Sequence, residues 1–384
     1  MNSTGSYIIE FSSVSARWFC IILLVGWAQA GSAISTSPVP DSRGSGGLGT
    51  VNYAAASSIV QNGGSIQAAV DAANPGDLIL IKPGTYSEAV TIDKPNLKLI
   101  GLGLVIIKNP GDEENGITVT DDGDGVDIEN LTVRDFEENG VLLENVDGFR
   151  IFRIITIDDG EYGIFPVSSV NGEIIQSEAS GHNDSGIYVG LSEHVTVSGC
   201  RAFANVSGFE IENSTHILLT DNEAYDNTAG ILAFLLPFLP KKTASDIVIS
   251  KNIVHDNNRP NFADPDDLVS FVPDGLGILI IGTDDTIVTK NQATNNDFAG
   301  IGVGSTLLLG NLAGIDPGAI LADIEPFPDS VEVRKNRALG NGANPPSPFP
   351  FPGADLLWDG SGSENCWGDN IFATSFPAQL PGCD

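Results

Sequence analysis

The sequence predicts an all-β solenoid: a single-stranded parallel β-helix with a short N-terminal capping helix. Three observations predict it. A glycine followed by alternating apolar residues recurs at Gly116, Gly140, Gly163, Gly186, Gly208, Gly230, Gly277 and Gly300, at spacings of 24, 23, 23, 22, 22, 47 and 23 residues. A period of about 20–25 residues without helical periodicity marks a stack of short strands. Chemically matched columns also run through the units. The position fourteen after the glycine holds Asn130, Ile154, Ser177, Cys200, Asn222, Asn252 and Asn291, with Asn336 fitting by its spacing to Val331. The position nineteen after holds Asp135, Asp159, His182, Asn205, Asn227, Asn257 and Asn296, with Asn341 fitting again. The third observation is a small column, sixteen after, of Ala179, Ala202, Ala224, Val254 and Ala293, which suits a narrow interior.

The elements follow in chain order. Arg17, the apolar run Trp18–Ala28 and the small-residue site Ala28-Gln29-Ala30 have the layout of a cleavable signal peptide over residues 1–30. The run is too short to span a bilayer comfortably. The chain is therefore expected to be secreted or periplasmic, with no membrane span in the mature protein. Residues 31–58 read as a flexible linker, 59–352 as the β-helix domain and 353–384 as a C-terminal cap. Ser65–Ala73 reads as the one short amphipathic helix, with Ser65 as N-cap and Asn74-Pro75-Gly76 as its stop. Strands are expected at Ile79–Ile81, Thr91–Ile92, Leu97–Ile100 and Val105–Ile107. Each later unit reads as strand, turn, strand, turn, as in GIYVG (186–190) followed by HVTVSGCRAFAN (194–205). The 47-residue interval is one 22-residue coil with insertions near Phe234–Lys242 and Arg259–Leu276, and a third insertion covers about Ser305–Pro328. Cys366 and Cys383 flank a short C-terminal segment and are expected to form a disulfide, with Cys200 a buried free thiol.

Composition narrows the function. Fifty Asp and Glu against eighteen Lys and Arg give a formal net charge of -32, which argues against nucleic acid as partner and against docking on an anionic membrane. Hydrophobic residues at 41% exclude a disordered acidic tail.

SIQAAVDAANPGDLILIKPGTY and the glycine-led coils resemble right-handed parallel β-helix proteins of the pectin-lyase-like superfamily, over about residues 60–342. A more distant resemblance is to the mannuronan C5-epimerases, which carry a Tyr-Gly-Phe-Asp-Pro-His strand. The matching strand here is Tyr162-Gly163-Ile164-Phe165-Pro166-Val167. Tyr162, Gly163 and Pro166 match. Phe165 and Val167 stand where that family has its catalytic Asp and His, and Ser207 stands at a further family His. The resemblance implies a polysaccharide-handling frame without the epimerase acid–base pair.

Alternation along a strand gives the candidate site. If the residue after each glycine faces in, the second and fourth after it face out. The outward centre then offers Tyr162, Phe165 and Tyr188 beside Glu210 and Glu212. Aromatic rings stack on sugar C–H faces and carboxylates accept sugar hydroxyl protons. The expected substrate-binding residues are Tyr162, Phe165, Tyr188, Asp184 and His182. Glu210, Glu212 and Tyr188 are the candidates for acid–base work, and Glu210 with Glu212 for a hard cation. No cofactor is required, and Ca2+ is the ion such carboxylates would hold. Arg134, Arg150 and Arg153 are candidates for neutralising a uronate. Three roles stay open for the aromatic–carboxylate group: binding a polysaccharide or oligosaccharide, catalysis on it in the manner of a lyase or epimerase, or simply the solvated face of an acidic rod. The alternative for the whole chain is a non-catalytic structural or interaction protein of the cell surface. His194 and His216 share a column with Asn171 and Asp285, and His255 aligns with Tyr225 and Phe203, so these histidines read as turn and stacking residues. The outward Leu232, Phe234, Leu279 and Ile281 are too apolar for bare solvent, which predicts that the Phe234–Lys242 insertion folds over them.

Overall fold

The computed structural model describes residues 56–347 and 349–383; the expected signal peptide and most of the linker lie outside the described residues. Each complete coil consists of three strands, which stack into three parallel sheets of 12, 11 and 10 strands. Sheet I, with 11 strands, holds the glycine-led strands such as Tyr162–Val167, Ser185–Gly190, Ser207–Glu212 and Ala229–Phe234. Sheet II holds the strands that follow, such as Glu193–Ser198, and sheet III the three-residue strands such as Arg201–Phe203. Twelve stacked strands make a rod of roughly 50 Å, longer than the eight glycine-led coils alone would give.

The expected two strands per unit are thus corrected to three. HVTVSGCRAFAN bends in its middle, because Gly199 takes φ +64° and breaks the strand before Cys200. Arg153, Gln176, Asp221, Lys251, Lys290 and Lys335 take the same left-handed conformation at the corresponding corner. Such residue types carry little turn signal, so the corner is hard to see in a sequence.

The columns behave as ladders. At the corner between sheets II and III, the backbone N–H and the side-chain amide of Asn222 both donate to Oδ1 of Asn252, at 3.0 and 3.1 Å. Asn252 donates likewise to Asn291, Asn291 to Asn336 and Asn336 to Asn370. A second ladder climbs Asn205, Asn227, Asn257, Asn296 and Asn341 to Asp355. These bonds satisfy backbone groups that the turns leave inside the coil. Asn130 and Asp135 do not belong to the columns. The coil of Gly116 is one residue longer, so Leu131 and Phe136 occupy those positions, and Phe136 N–H donates to Asp159. A third ladder, of Ser169, Ser192 and Ser214, satisfies backbone N–H groups at the corner between sheets I and II.

The interior is apolar. Ile164, Ile187, Phe209, Ile231 and Ile278, each following its glycine, are fully buried, and so is the small column from Ala179 to Ala293. The glycines themselves are dictated by close approach. A Cβ on Gly163 would lie 2.4 Å from the carbonyl oxygen of Gly186 on the next coil.

Helix α1, Ile66–Ala72, has Ser65 as N-cap, its hydroxyl accepting from Ala68 N–H, and buries Ile66 and Val70 in the first coils. Two further helices correct the single-helix expectation: α2, Thr306–Leu312, and α3, Pro317–Asp323, both in the third insertion. The insertions pack on each other, with Leu235 and Ala244 against Ile320 and Ile324. Leu232, Phe234 and Ile281 lie buried beneath Leu236, Leu239, Val269, Val272 and Leu309, so the apolar stretch of sheet I is covered by the chain's own insertions, as expected for the first of them. Residues 354–358, 366–368 and 375–376, in the expected cap, add strands to sheets I and II. Cys366 and Cys383 are disulfide-bonded and Cys200 is a buried free thiol. Among the described residues no helix is long and apolar enough to cross a membrane.

Candidate functional site

The site forms on the outer face of sheet I, on the strands Tyr162–Val167, Ser185–Gly190 and Ser207–Glu212. Parallel register puts Tyr188 opposite Glu210, and Gly190 opposite Glu212. Tyr162, Phe165 and Tyr188 come together as one aromatic group, with ring centroids 4.5, 5.0 and 4.7 Å apart. Leu142 and Val167 pack against the same rings.

A solvated face is what the alternation rule leads one to expect, and the structure corrects it. Glu210 and Glu212 are only 6% and 7% exposed, and Phe165 and Tyr188 are equally buried. The rings lie across one another and across neighbouring coils, so residues that point out of the sheet are still withdrawn from water. Gly190 assists, because a Cβ there would lie 2.3 Å from the Tyr188 ring.

Burial sets the protonation of the group. It raises the Glu212 carboxyl from 4.5 to about 7, against a hydrogen bond donated by the Tyr188 hydroxyl and with a contribution from the Asp184 charge. Glu210 is raised too, by burial and then by the charge of Glu212, although the Ser185 hydroxyl donates to it at 2.6 Å. Half-buried Asp184 accepts a hydrogen bond from the Tyr162 hydroxyl, lies 3.1 Å from the Ser185 hydroxyl oxygen, and is held well above the usual carboxylate range by burial and by Glu210. Burial also pushes the Tyr188 hydroxyl upward. The result is a network of three mutually repelling carboxyls and two tyrosine hydroxyls that retains protons near neutral pH.

Sequence reasoning brought Tyr162, Phe165, Tyr188, Asp184, Glu210 and Glu212 to one place, and the structure does the same. It does not bring His182. That side chain is wholly buried inside the coil, its ring nitrogens 3.1 Å from the Asp159 carbonyl oxygen and 3.2 Å from the Thr156 hydroxyl. Burial lowers its pKa to about 4, so it is a neutral rung below Asn205. Ser185 was missed; its signal was its place one residue before the glycine, level with Ser207. Arg134 pairs with Asp135, and Arg150 with Asp127 and Glu129, outside the sheet I group. Two trios of ligand-type side chains gather within 4.8 Å among the described residues, Glu193/His194/His216 and Asp284/Glu325/Asp329; Glu210 and Glu212 belong to neither.

Comparison with known proteins bears on the fold. The family model described as "Right handed beta helix region" matches residues 115–235. The fold is a right-handed parallel β-helix. A search of curated proteins finds no significant match to this sequence. Among solved structures, the β-helix is similar to the A-module of the Azotobacter vinelandii mannuronan C-5 epimerase AlgE4, with a TM-score of 0.58 and 18% identity over 83% of this chain and 93% of that one. The AlgE6 A-module from the same organism gives 0.57 and 17%, over 81% and 83%. DFA-IIIase from Arthrobacter chlorophenolicus A6 in complex with GF2 gives 0.52 and 13%, over 80% of each chain. At these identities the likeness is one of β-helix architecture.

Proposed function

We propose that this chain is an exported β-helix protein that binds or acts on a polysaccharide laid along the outer face of sheet I. The observation that carries the proposal is the buried network of Asp184, Glu210 and Glu212 with the Tyr162 and Tyr188 hydroxyls. Withdrawing three carboxyls from water destabilises the fold, and such clusters concentrate at functional sites. A carboxyl titrating near 7 can accept and return a proton at neutral pH, the requirement for lyase-like or epimerase-like chemistry next to a sugar carboxylate. Retained protons also lessen the repulsion that a net charge of -32 would exert on an acidic chain. Similarity to a mannuronan C-5 epimerase and to DFA-IIIase in complex with GF2 supports a carbohydrate ligand, and the layout of residues 1–30 supports export. With Phe165 and Val167 at the epimerase Asp and His positions, the acid–base work falls to Glu210 and Glu212, with Tyr188 beside them.

The test is a glycan-array screen with and without Ca2+, followed by calorimetric titration of the bound glycan. Tyr188→Ala is expected to weaken binding by ~1–2 kcal/mol, the scale of a lost aromatic contact. Equal affinity for the wild type, Tyr188→Ala and Glu210→Gln/Glu212→Gln would refute a glycan site here.

A further inference from the structure

The geometry points to a divalent transition-metal site of the Zn2+ class, formed by Glu193, His194 and His216 at the start of sheet II. The argument begins with the backbone. Gly148, Asn171, His194, His216, Asp246 and Asp285 all hold the left-handed conformation, φ between 45° and 79°, at one point of successive coils. Gly, Asn and Asp tolerate that conformation well. Histidine on two consecutive coils brings something the turn does not need. Stacking places the two imidazoles 4.5 Å apart, at 33°.

Both rings face one carboxylate oxygen. His194 Nε2 and His216 Nδ1 each lie 3.5 Å from Glu193 Oε1. Three ligands at Zn–N and Zn–O lengths of ~2.0–2.1 Å in a tetrahedron stand about 3.4 Å apart. The two nitrogen–oxygen separations match edges of such a site, and the two ring nitrogens lie within 4.8 Å of each other. Asp246 Oδ2 lies 3.7 Å from the other ring nitrogen, Nε2, of His216. That is the place of the outer carboxylate which orients a metal-bound imidazole. Two imidazoles with one carboxylate suit Zn2+, Cu2+ or Ni2+ and not Ca2+, which takes oxygen ligands. The fourth position faces solvent. One cation opposes the site: Lys241, whose ammonium is hydrogen-bonded to the Ser192 carbonyl and the Thr215 hydroxyl and feels the Glu193 charge. This site is independent of the glycan reading.

The test is calorimetric titration of the full, untagged, chelator-treated chain with ZnCl2, repeated on His194→Asn and His216→Asn. Asparagine occupies the same column at 171, so both variants keep the left-handed turn, and unchanged melting temperatures without metal check that they do. One Zn2+ per chain is expected, weakened about tenfold or more by either variant, weakened several-fold by Asp246→Asn and tightened by Lys241→Gln. Failure to bind one Zn2+ per chain, binding unchanged in both histidine variants, or displacement by equimolar Ca2+ would overturn the assignment.

Discussion

Replacing Glu212 by glutamine should stabilise this protein at alkaline pH and leave it unchanged in acid. The folded chain holds the Glu212 carboxyl at about 7 against 4.5 for a free one, with burial as the main cause. At pH 4 the folded and unfolded chains both carry the proton, and burial exacts nothing from the fold. Between 4.5 and 7 the unfolded chain releases the proton while the folded one keeps it, so stability falls as pH rises. Above 7 the loss is complete. A difference of about 2.5 in pKa at ~1.4 kcal/mol each amounts to about 3 kcal/mol. Glutamine has no charge to bury and still offers an oxygen to the Tyr188 hydroxyl. Urea unfolding of the wild type and Glu212→Gln, followed by circular dichroism at pH 4 and pH 8.5, reads the effect directly. The expected gain is about 3 kcal/mol at pH 8.5 and near zero at pH 4. A gain below about 1 kcal/mol at pH 8.5, or one equal at both pH values, would show that Glu212 is solvated and would remove the reason for placing proton chemistry there.

Other expectations follow from the frame. Asn252→Ala removes four side-chain hydrogen bonds, from Asn222 N and Nδ2 and to Asn291 Oδ1 and Leu219 O; at ~1 kcal/mol each the loss in urea unfolding should be about 4 kcal/mol. Reducing Cys366–Cys383, which closes 17 residues of chain, should lower stability by about 3 kcal/mol in the same assay. Alginate incubated with the protein should show no new guluronate signals by proton NMR, because the mannuronan-epimerase Asp and His positions hold Phe165 and Val167; the proton chemistry proposed for Glu210 and Glu212 is directed at a different polysaccharide.

Much of this was legible in the sequence, and the exceptions have physical causes. Glycine recurs because only hydrogen fits against the next coil's carbonyl, so the period is written plainly between Gly116 and Gly300. The asparagine columns show for the same reason: a side chain that must donate and accept along the axis leaves few alternatives. The corner between sheets II and III was invisible because it needs only one left-handed residue, and Arg153, Gln176 and Lys251 accept that role. The serine ladder was missed because serines at turns are common for other reasons. The composition of the candidate site followed from alternation, but its burial did not. Alternation says which way a strand residue points. Whether water reaches it depends on how Tyr162, Phe165 and Tyr188 lie over one another across coils.

The asparagine ladders also have a direction. Each rung's backbone N–H and one side-chain N–H donate toward the C-terminal neighbour, and its oxygen accepts from the N-terminal one. Amide dipoles aligned in this way add, as they do along an α-helix, and leave the positive end at the C-terminal side. The second ladder ends there on a carboxylate. Asp355, 1% exposed, takes Asn341 N–H and Nδ2 on one oxygen and the backbone N–H groups of Ala373 and Thr374 on the other. Its side chain receives bonds on both oxygens, and only its backbone N–H continues, to the Thr374 hydroxyl, so the amide-to-amide polarity that propagates from coil to coil along this ladder stops in a different chemistry at its last rung.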